Sequence, residues 1–168
     1  TNNLEDIADA VSKGALKGAR GNSGVILSQI FKGFVTYFTE MKEIKTIDFA
    51  NALIEGANVA YKAVTKPKEG TILTVARVGS EYAEKAANEG KDALGVFEAA
   101  LEGAKTALAE TPEILPVLKK AGVVDSGGAG LIYIVKGMKR ALDGEKFEGA
   151  VKDGETMLSA AVQTKSGR

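Results

Sequence analysis

At 168 residues the chain fits one domain, which can bury about 70% of its unfolded surface. Its 22 Lys and Arg residues balance 22 Asp and Glu residues, so no overall positive charge favours nucleic acid as a partner. It contains no Cys and no His, which excludes thiol nucleophiles, disulfides, imidazole bases and the usual zinc ligands. No apolar run reaches the roughly 18 residues of a membrane span, and the polar start is unlike a signal peptide, so we expect a soluble cytoplasmic protein.

Apolar residues recur at helical spacing along nearly the whole chain, which predicts an all-α fold of about seven helices. In chain order the predicted helices span about residues 4–19, 23–42, 49–64, 71–88, 94–110, 112–118 and 131–142. Asn2 or Asn3 would cap the first helix, and Pro67 would close the third. Thr111 would cap the short sixth helix, with Pro112 at its first position.

Ala and Gly recur on helix faces that must meet neighbours, which is typical of close antiparallel packing in an up-and-down helical barrel or bundle. Loops 18–24 and 66–71 are separated by two helices and should share one end. Loop 122–130 should join them if the short sixth helix counts as one crossing. We expect the three loops to form one rim. We assign residues 1–145 to this helical domain and residues 146–168 to a C-terminal extension or linker.

The segment from Lys17 to Gln29 places glycines, a serine and an arginine at the start of a helix. Glycines let a ligand come close, and the unpaired amides of a helix start favour an anion. Arg20 adds a fixed cation beside the loop. The alternative is a tight turn with Ser23 as an ordinary N-cap, because the Gly-Lys-Ser/Thr pattern of phosphate loops is absent.

The other two loops are open to the same two interpretations. Thr71 and Ile72 can line a nucleobase or phosphate pocket, or Thr71 can simply cap the fourth helix. Asp125 can hold Mg²⁺ or a ribose hydroxyl, or Asp125 or Ser126 can be an N-cap. An acidic turn at residues 153–156 is interpreted as solvated.

Taken together, three segments closely resemble one family. They are Gly-Ala-Arg-Gly-Asn-Ser-Gly-Val-Ile-Leu-Ser-Gln at 18–29, Ala-Tyr-Lys-Ala-Val at 60–64 leading to Pro-Lys-Glu-Gly-Thr-Ile-Leu-Thr-Val at 67–75, and Gly-Val-Val-Asp-Ser-Gly-Gly at 122–128. From about Leu4 to Glu145 the chain resembles the amino-terminal kinase domain of the fatty acid kinase A subunit. That domain is homologous to the nucleotide-binding L subunit or domain of dihydroxyacetone kinases.

The resemblance implies an α-helical barrel of antiparallel helices that holds ATP or ADP at one rim. At matching positions, the implied contacts are Ser23 and Gly24 for the phosphates, Thr71 and Ile72 for the nucleotide, and Asp125 and Gly127 for the third side of the pocket, with Arg20 and Asn22 as neighbours without an assigned role. No catalytic residue is assigned.

One departure from the family concerns the metal. The family places an Asp-Gly-Asp-Thr-Gly turn, whose aspartates coordinate two Mg²⁺ ions, upstream of the helix that begins here near Leu4. This chain has no such turn, and residues 153–156 are a superficial echo at the wrong end. Because phosphoryl transfer depends on metal to neutralise charge, we expect a fragment, inactive alone, whose metal ligands lie upstream.

The resemblance also implies a reaction. The parent protein would transfer the γ-phosphoryl group of ATP to the carboxylate of a fatty acid presented by a separate fatty-acid-binding partner protein, giving an acyl phosphate. One alternative is a dihydroxyacetone-type kinase subunit, although the wording of residues 20–24 and 125–128 favours the fatty acid branch. Another is a non-catalytic helical interaction module. Acyl-chain preference and oligomeric state, a homodimer included, are left open.

Overall fold

The computed structural model describes residues 3–144, and the regular structure in that range is entirely helical. Its helices are α1 (Leu4–Gly18), α2 (Gly21–Thr36), α3 (Thr46–Ala63), α4 (Ile72–Asn88), α5 (Ala93–Ile114), α6 (Pro116–Ala121) and α7 (Ser126–Leu142). The predicted all-α fold with seven helices is therefore confirmed for this range. The acidic turn at residues 153–156 lies outside the described residues.

The long helices pack against their neighbours in the chain. α1 packs on α2, α2 on α3, α3 on α4 and α4 on α5, while α7 packs against α4 and α5 and touches α2. Short connections between packed neighbours make them antiparallel, as in an up-and-down bundle. The starts of α2, α4 and α7 therefore lie at the end of the bundle where α1, α3 and α5 finish. We call this end the rim.

The core combines a few large apolar side chains with many small ones. Leu73, Val75 and Phe97 are buried at its centre. Where α2 crosses α3, a Cβ atom placed on Gly33 would lie 2.7 Å from the Glu55 carbonyl oxygen and 2.7 Å from the Cα of Gly56. The two backbones are therefore in direct contact, which explains the small residues on the facing helix surfaces.

None of the helices between residues 3 and 144 combines the length and the apolar character needed to cross a bilayer.

The start of α2 differs from its predicted position. The helix begins at Gly21, and Ser23 lies inside its first turn. Gly21 has a φ of 68°, a left-handed conformation that favours glycine, so the chain reverses there and enters the helix at once. The N-cap is Arg20, which makes no side-chain capping hydrogen bond. The alternative interpretation of Ser23 as an ordinary N-cap was therefore wrong.

One predicted helix end lies too far along the chain, and another agrees to within one residue. α2 ends at Thr36 instead of near Lys42. The Thr39 hydroxyl donates to the Thr36 carbonyl at 2.9 Å, giving the backbone a local alternative to further helix. α3 ends at Ala63, before the constraint that Pro67 imposes takes effect.

The largest difference concerns Thr111 and Pro112, which lie inside α5 and do not start a new helix. Proline has no N–H for the carbonyl of Leu108, one turn earlier, but the Thr111 hydroxyl donates to that carbonyl at 2.7 Å. The short helix α6 starts instead at Pro116, after Leu115. Its six residues span about 9 Å, so α6 stays at the rim and the predicted crossing was wrong.

Candidate functional site

The first turns of α2, α4 and α7 contact one another at the rim. A Cβ atom on Gly127 of α7 would lie 2.9 Å from the Oγ of Ser23 in α2. A Cβ atom on the next residue, Gly128, would lie 2.7 Å from the Cγ2 of Val75 in α4. The predicted convergence of the three loops is confirmed, but it arises because α6 does not cross the bundle.

The start of α2 is exposed and has no side-chain cap. Gly21, Asn22 and Ser23 are exposed, and Gly24 is half-buried against Ala19. A helix start leaves amides without partners inside the helix, and here no side chain accepts from them through the N-cap position. Of the long helices α2, α4 and α7, which start at the rim, α2 alone lacks a side-chain cap.

Arg20, predicted as a fixed cation beside this loop, has partners in the preceding helix. Its Nη1 donates to the carbonyl of Lys17 at 3.2 Å and to that of Ala19 at 2.9 Å. The guanidinium thus covers the last carbonyls of α1, where the negative end of the helix dipole lies. Arg20 joins the end of α1 to the start of α2 and remains exposed.

At the start of α4, Thr71 takes the capping role that was one of its two interpretations. Its Oγ1 accepts from the N–H of Leu73 at 3.3 Å and donates to the carbonyl of Lys68 at 2.8 Å. The side chain of Ile72 is only 2% exposed and belongs to the core. Ile72 therefore offers the rim its backbone and not its side chain.

Asp125 caps α7, as one of its two interpretations predicted. Its Oδ2 accepts from the N–H of Gly128 at 2.8 Å. The backbone N–H of Asp125 donates to the Oγ1 of Thr111 at 3.1 Å, and Thr111 is completely buried. The threonine that sequence reasoning assigned to a helix start is thus the anchor of the third rim loop.

A cluster of four side chains beside the rim was missed from the sequence; we call Tyr61, Glu69, Thr74 and Arg77 the Glu69 cluster. The Tyr61 hydroxyl donates to Glu69 Oε1 at 2.9 Å, and the Thr74 hydroxyl donates to Glu69 Oε2. Arg77 Nη2 lies 3.4 Å from the same carboxylate. Partial burial of Glu69 opposes ionisation, but these hydrogen bonds and the charge of Arg77 outweigh it and lower the pKa of Glu69.

The hydroxyl of Tyr61 is the centre of this cluster, because it also accepts from Arg77 Nε at 3.3 Å. Burial is the largest influence on it and raises the pKa of Tyr61, so the phenol stays protonated at neutral pH. The one local feature of the sequence that points to this cluster is the spacing of Arg77 and Glu81, which lie one helical turn apart and form an ion pair at 3.0 Å. The partnership with Tyr61 depends on how α3 packs on α4.

The described residues do not by themselves fit a Mg²⁺ ion. Two carboxylates in the rim loops, Asp125 and Glu69, are held by the hydrogen bonds given above. Between residues 3 and 144 no group of three or more acidic, His or Cys side chains is arranged to hold a metal. Since Mg²⁺ is bound in proteins mainly through carboxylates, the expected ligands upstream of this chain stay a prediction.

Comparison with known proteins matches residues 1–140 to the family described as the DAK2 domain. Protein YloV of Bacillus subtilis (strain 168) is 50% identical over 145 residues, covering 86% of this chain and 26% of YloV. An uncharacterized protein of Staphylococcus epidermidis is 47% identical over 146 residues, covering 87% of this chain and 26% of its own length. The chain spans about a quarter of the length of the curated relatives it matches. It belongs to the DAK2 domain family.

Proposed function

We propose that this chain is the nucleotide-binding domain of a kinase and that its rim holds the phosphates of ATP or ADP. Membership of a family of dihydroxyacetone-kinase type supports this proposal. The observation that carries it is the uncapped, exposed first turn of α2, packed against the glycines that open α7. A phosphate there would accept from the amides that no side chain satisfies and would meet the positive end of the helix dipole.

The glycine of α7 is important for this geometry. A Cβ atom at Gly127 would lie 2.9 Å from Ser23 Oγ and 3.4 Å from Asp125 Oδ2. Glycine at this position thus lets the start of α7 approach Ser23 closely, where a side chain would collide with the hydroxyl. In the proposal, Ser23 and Gly24 contact the phosphates, Thr71 and Ile72 contribute from the second wall and Asp125 from the third. Asn22 and Arg20 border the site.

We further propose that the acceptor is the carboxylate of a fatty acid, presented by a separate fatty-acid-binding protein. A carboxylate oxygen attacks the γ-phosphorus, the bond to the β,γ-bridging oxygen breaks, and acyl phosphate and ADP form without a proton transfer. A hydroxyl acceptor such as dihydroxyacetone must lose a proton to a base. The chain has no His, and the carboxylates that precede α4 and α7, Glu69 and Asp125, are engaged in structural hydrogen bonds, which favours the acceptor that is already ionised.

Metal ligation is assigned in this proposal to parts of a longer protein, since the described residues do not supply it. When bound, Mg²⁺ would neutralise charge on the phosphates. The chain's own residues orient the phosphates through amides and hydroxyls. Because the proposed substrate is ATP, we also propose a cytoplasmic location.

Isothermal titration with ATP and Mg²⁺ on the full-length protein that carries this domain tests the proposal. We expect binding by the wild-type protein and weaker binding by the Ser23→Ala variant with unchanged helix content. Absence of ATP binding by the full-length wild-type protein would contradict the kinase proposal and favour a non-catalytic helical interaction module.

Transfer of labelled phosphate from ATP to a fatty acid on its carrier protein, compared with transfer to dihydroxyacetone, then tests the acceptor. Label on dihydroxyacetone alone would replace the fatty acid proposal with the dihydroxyacetone one.

A further inference from the structure

We infer that the Glu69 cluster is a positioning device for the second wall of the nucleotide rim, acting through Tyr61 and Arg77, neither of which is assigned a contact with the nucleotide. The inference rests on the proposed function. The hydrogen bonds that carry it are observed independently of that function, because they show how the turn that precedes α4 is held in place.

The turn before α4 is fixed on one side by close packing. Gly70 is buried and has a φ of 82°. A Cβ atom on it would lie 2.8 Å from Leu115 Cγ and 3.1 Å from Ile114 Cβ, at the junction of α5 and α6. Only glycine fits this position without strain, so the chain must turn sharply just before the Thr71 cap.

On its other side the turn is fixed by Glu69. The N–H of Gly70 donates to Thr74 Oγ1 at 2.8 Å, and the Thr74 hydroxyl in turn donates to Glu69. Tyr61 holds the other carboxylate oxygen from α3 at 2.9 Å. Glu69 is thus bonded to α3 and α4, and the Gly70 amide is bonded to α4. These bonds set the direction in which the Thr71 cap and the first amides of α4 point.

Arg77 connects the parts of the cluster. Its Nε donates to the Tyr61 hydroxyl, its Nη2 reaches Glu69 and its Nη1 donates to Glu81 Oε1 at 3.0 Å. A planar guanidinium can serve three acceptors at fixed angles, which a lysine ammonium cannot do with the same geometry. The carboxylate of Glu69 accepts from three side chains, so its role is to hold the turn and not to act as a base or a metal ligand.

The test uses variants that leave apolar packing intact. Tyr61→Phe keeps the ring, which packs against the core, and removes the hydroxyl that joins Arg77 to Glu69. Tyr37→Phe is the matched control: its hydroxyl also bonds a carboxylate, Asp48 at 3.3 Å, but near the opposite end of the bundle. We expect Tyr61→Phe to weaken ATP binding by the full-length protein roughly fivefold, and Tyr37→Phe to leave it unchanged.

A second measurement separates positioning from general stability. Hydrogen exchange of the amides of residues 70–73 should be faster in Tyr61→Phe than in Tyr37→Phe, with similar midpoints of thermal unfolding for the two variants. Arg77→Lys should retain more ATP affinity than Arg77→Met, because it keeps the charge beside Glu69 while losing the planar fork.

Two negative results are distinguishable. If the wild-type protein binds no ATP, the proposed function fails and this inference fails with it. If the wild-type protein binds ATP but Tyr61→Phe matches Tyr37→Phe in affinity and in exchange at residues 70–73, the inference alone is overturned.

Discussion

Replacing Thr111 by valine would remove two hydrogen bonds at a buried point without changing the shape of the side chain. The Thr111 hydroxyl donates to the carbonyl of Leu108 at 2.7 Å and accepts from the N–H of Asp125 at 3.1 Å. Since Pro112 has no N–H, nothing else in the helix can take over the Leu108 carbonyl. The substitution thus leaves one acceptor and one donor unpaired.

The size of the effect follows from these two groups. A net hydrogen bond contributes about 1 kcal/mol, and a buried group left unpaired costs about 1–3 kcal/mol. Because Leu108 and Asp125 are half-buried and water can partly reach them, we expect a loss of about 2–3 kcal/mol in the free energy of unfolding. For a protein of this size that lowers the midpoint of thermal unfolding by roughly 5–10 °C.

Urea denaturation followed by circular dichroism measures this loss, with Thr106→Val as the matched control. Thr106 lies on the same helix and donates to the Glu102 carbonyl at 2.9 Å, but it is exposed and holds no loop. Its replacement should change stability by less than about 0.5 kcal/mol. Equal losses in the two variants would refute the argument that Thr111 anchors the loop before α7.

Three further substitutions, one of them with a matched control, test the α2 start, the α2–α3 contact and the Glu69 carboxylate. Ser23→Ala should change the free energy of unfolding by less than about 0.5 kcal/mol, since Ser23 is not a cap, while ATP titration shows weaker binding. Gly33→Ala should lower the free energy of unfolding in urea by more than about 2 kcal/mol, because its Cβ would meet the backbone of α3 at 2.7 Å. The control Gly137→Ala, whose Cβ would have nothing within 4 Å, should be neutral or stabilising by up to about 1 kcal/mol. Glu69→Gln should destabilise by up to about 1 kcal/mol at pH 7 and by less at pH 3, measured by urea denaturation at both pH values.

The sign of the pH effect follows from the lowered pKa of Glu69. A carboxyl whose pKa is lower in the folded state stabilises the fold above its unfolded pKa, and this contribution is lost as the pH falls through the folded pKa. Wild-type and Glu69→Gln proteins should therefore converge in acid. A difference in the free energy of unfolding that stays constant from pH 7 to pH 3 would contradict this argument. An unchanged stability of Gly33→Ala would contradict the close contact of α2 and α3. A Ser23→Ala variant that loses stability but not ATP affinity would contradict the role of Ser23 in binding.

Local chemistry was sufficient to predict several helix starts. Asn3, Thr71 and Asp125 each accept a hydrogen bond from an amide in the first turn of the following helix, as short polar side chains before an apolar period indicate. The same local chemistry could not separate capping from ligand binding at Thr71 and Asp125. Their caps are observed, and their nucleotide contacts stay predictions.

The predictions that were wrong, and the cluster that was missed, depend on hydrogen-bond partners distant in sequence or on the backbone conformation of a single residue. Thr111 followed by Pro112 has the form of a helix start, yet the hydroxyl of Thr111 lets α5 continue through the proline. At the start of α2, Ser23 is a good cap by type, but the positive φ of Gly21 starts the helix earlier. The bonds from Tyr61 to Glu69 and Arg77 exist only because α3 packs on α4, so no local period reveals them.

The most direct test of the central claim is a map of backbone amide chemical shifts on titration of the full-length protein with ATP and Mg²⁺. We expect the largest changes at residues 21–24, 70–73 and 125–128, in the loops and first turns that begin α2, α4 and α7. Changes concentrated at the opposite end, at residues 37–46 and 89–92, or no changes at all, would contradict it.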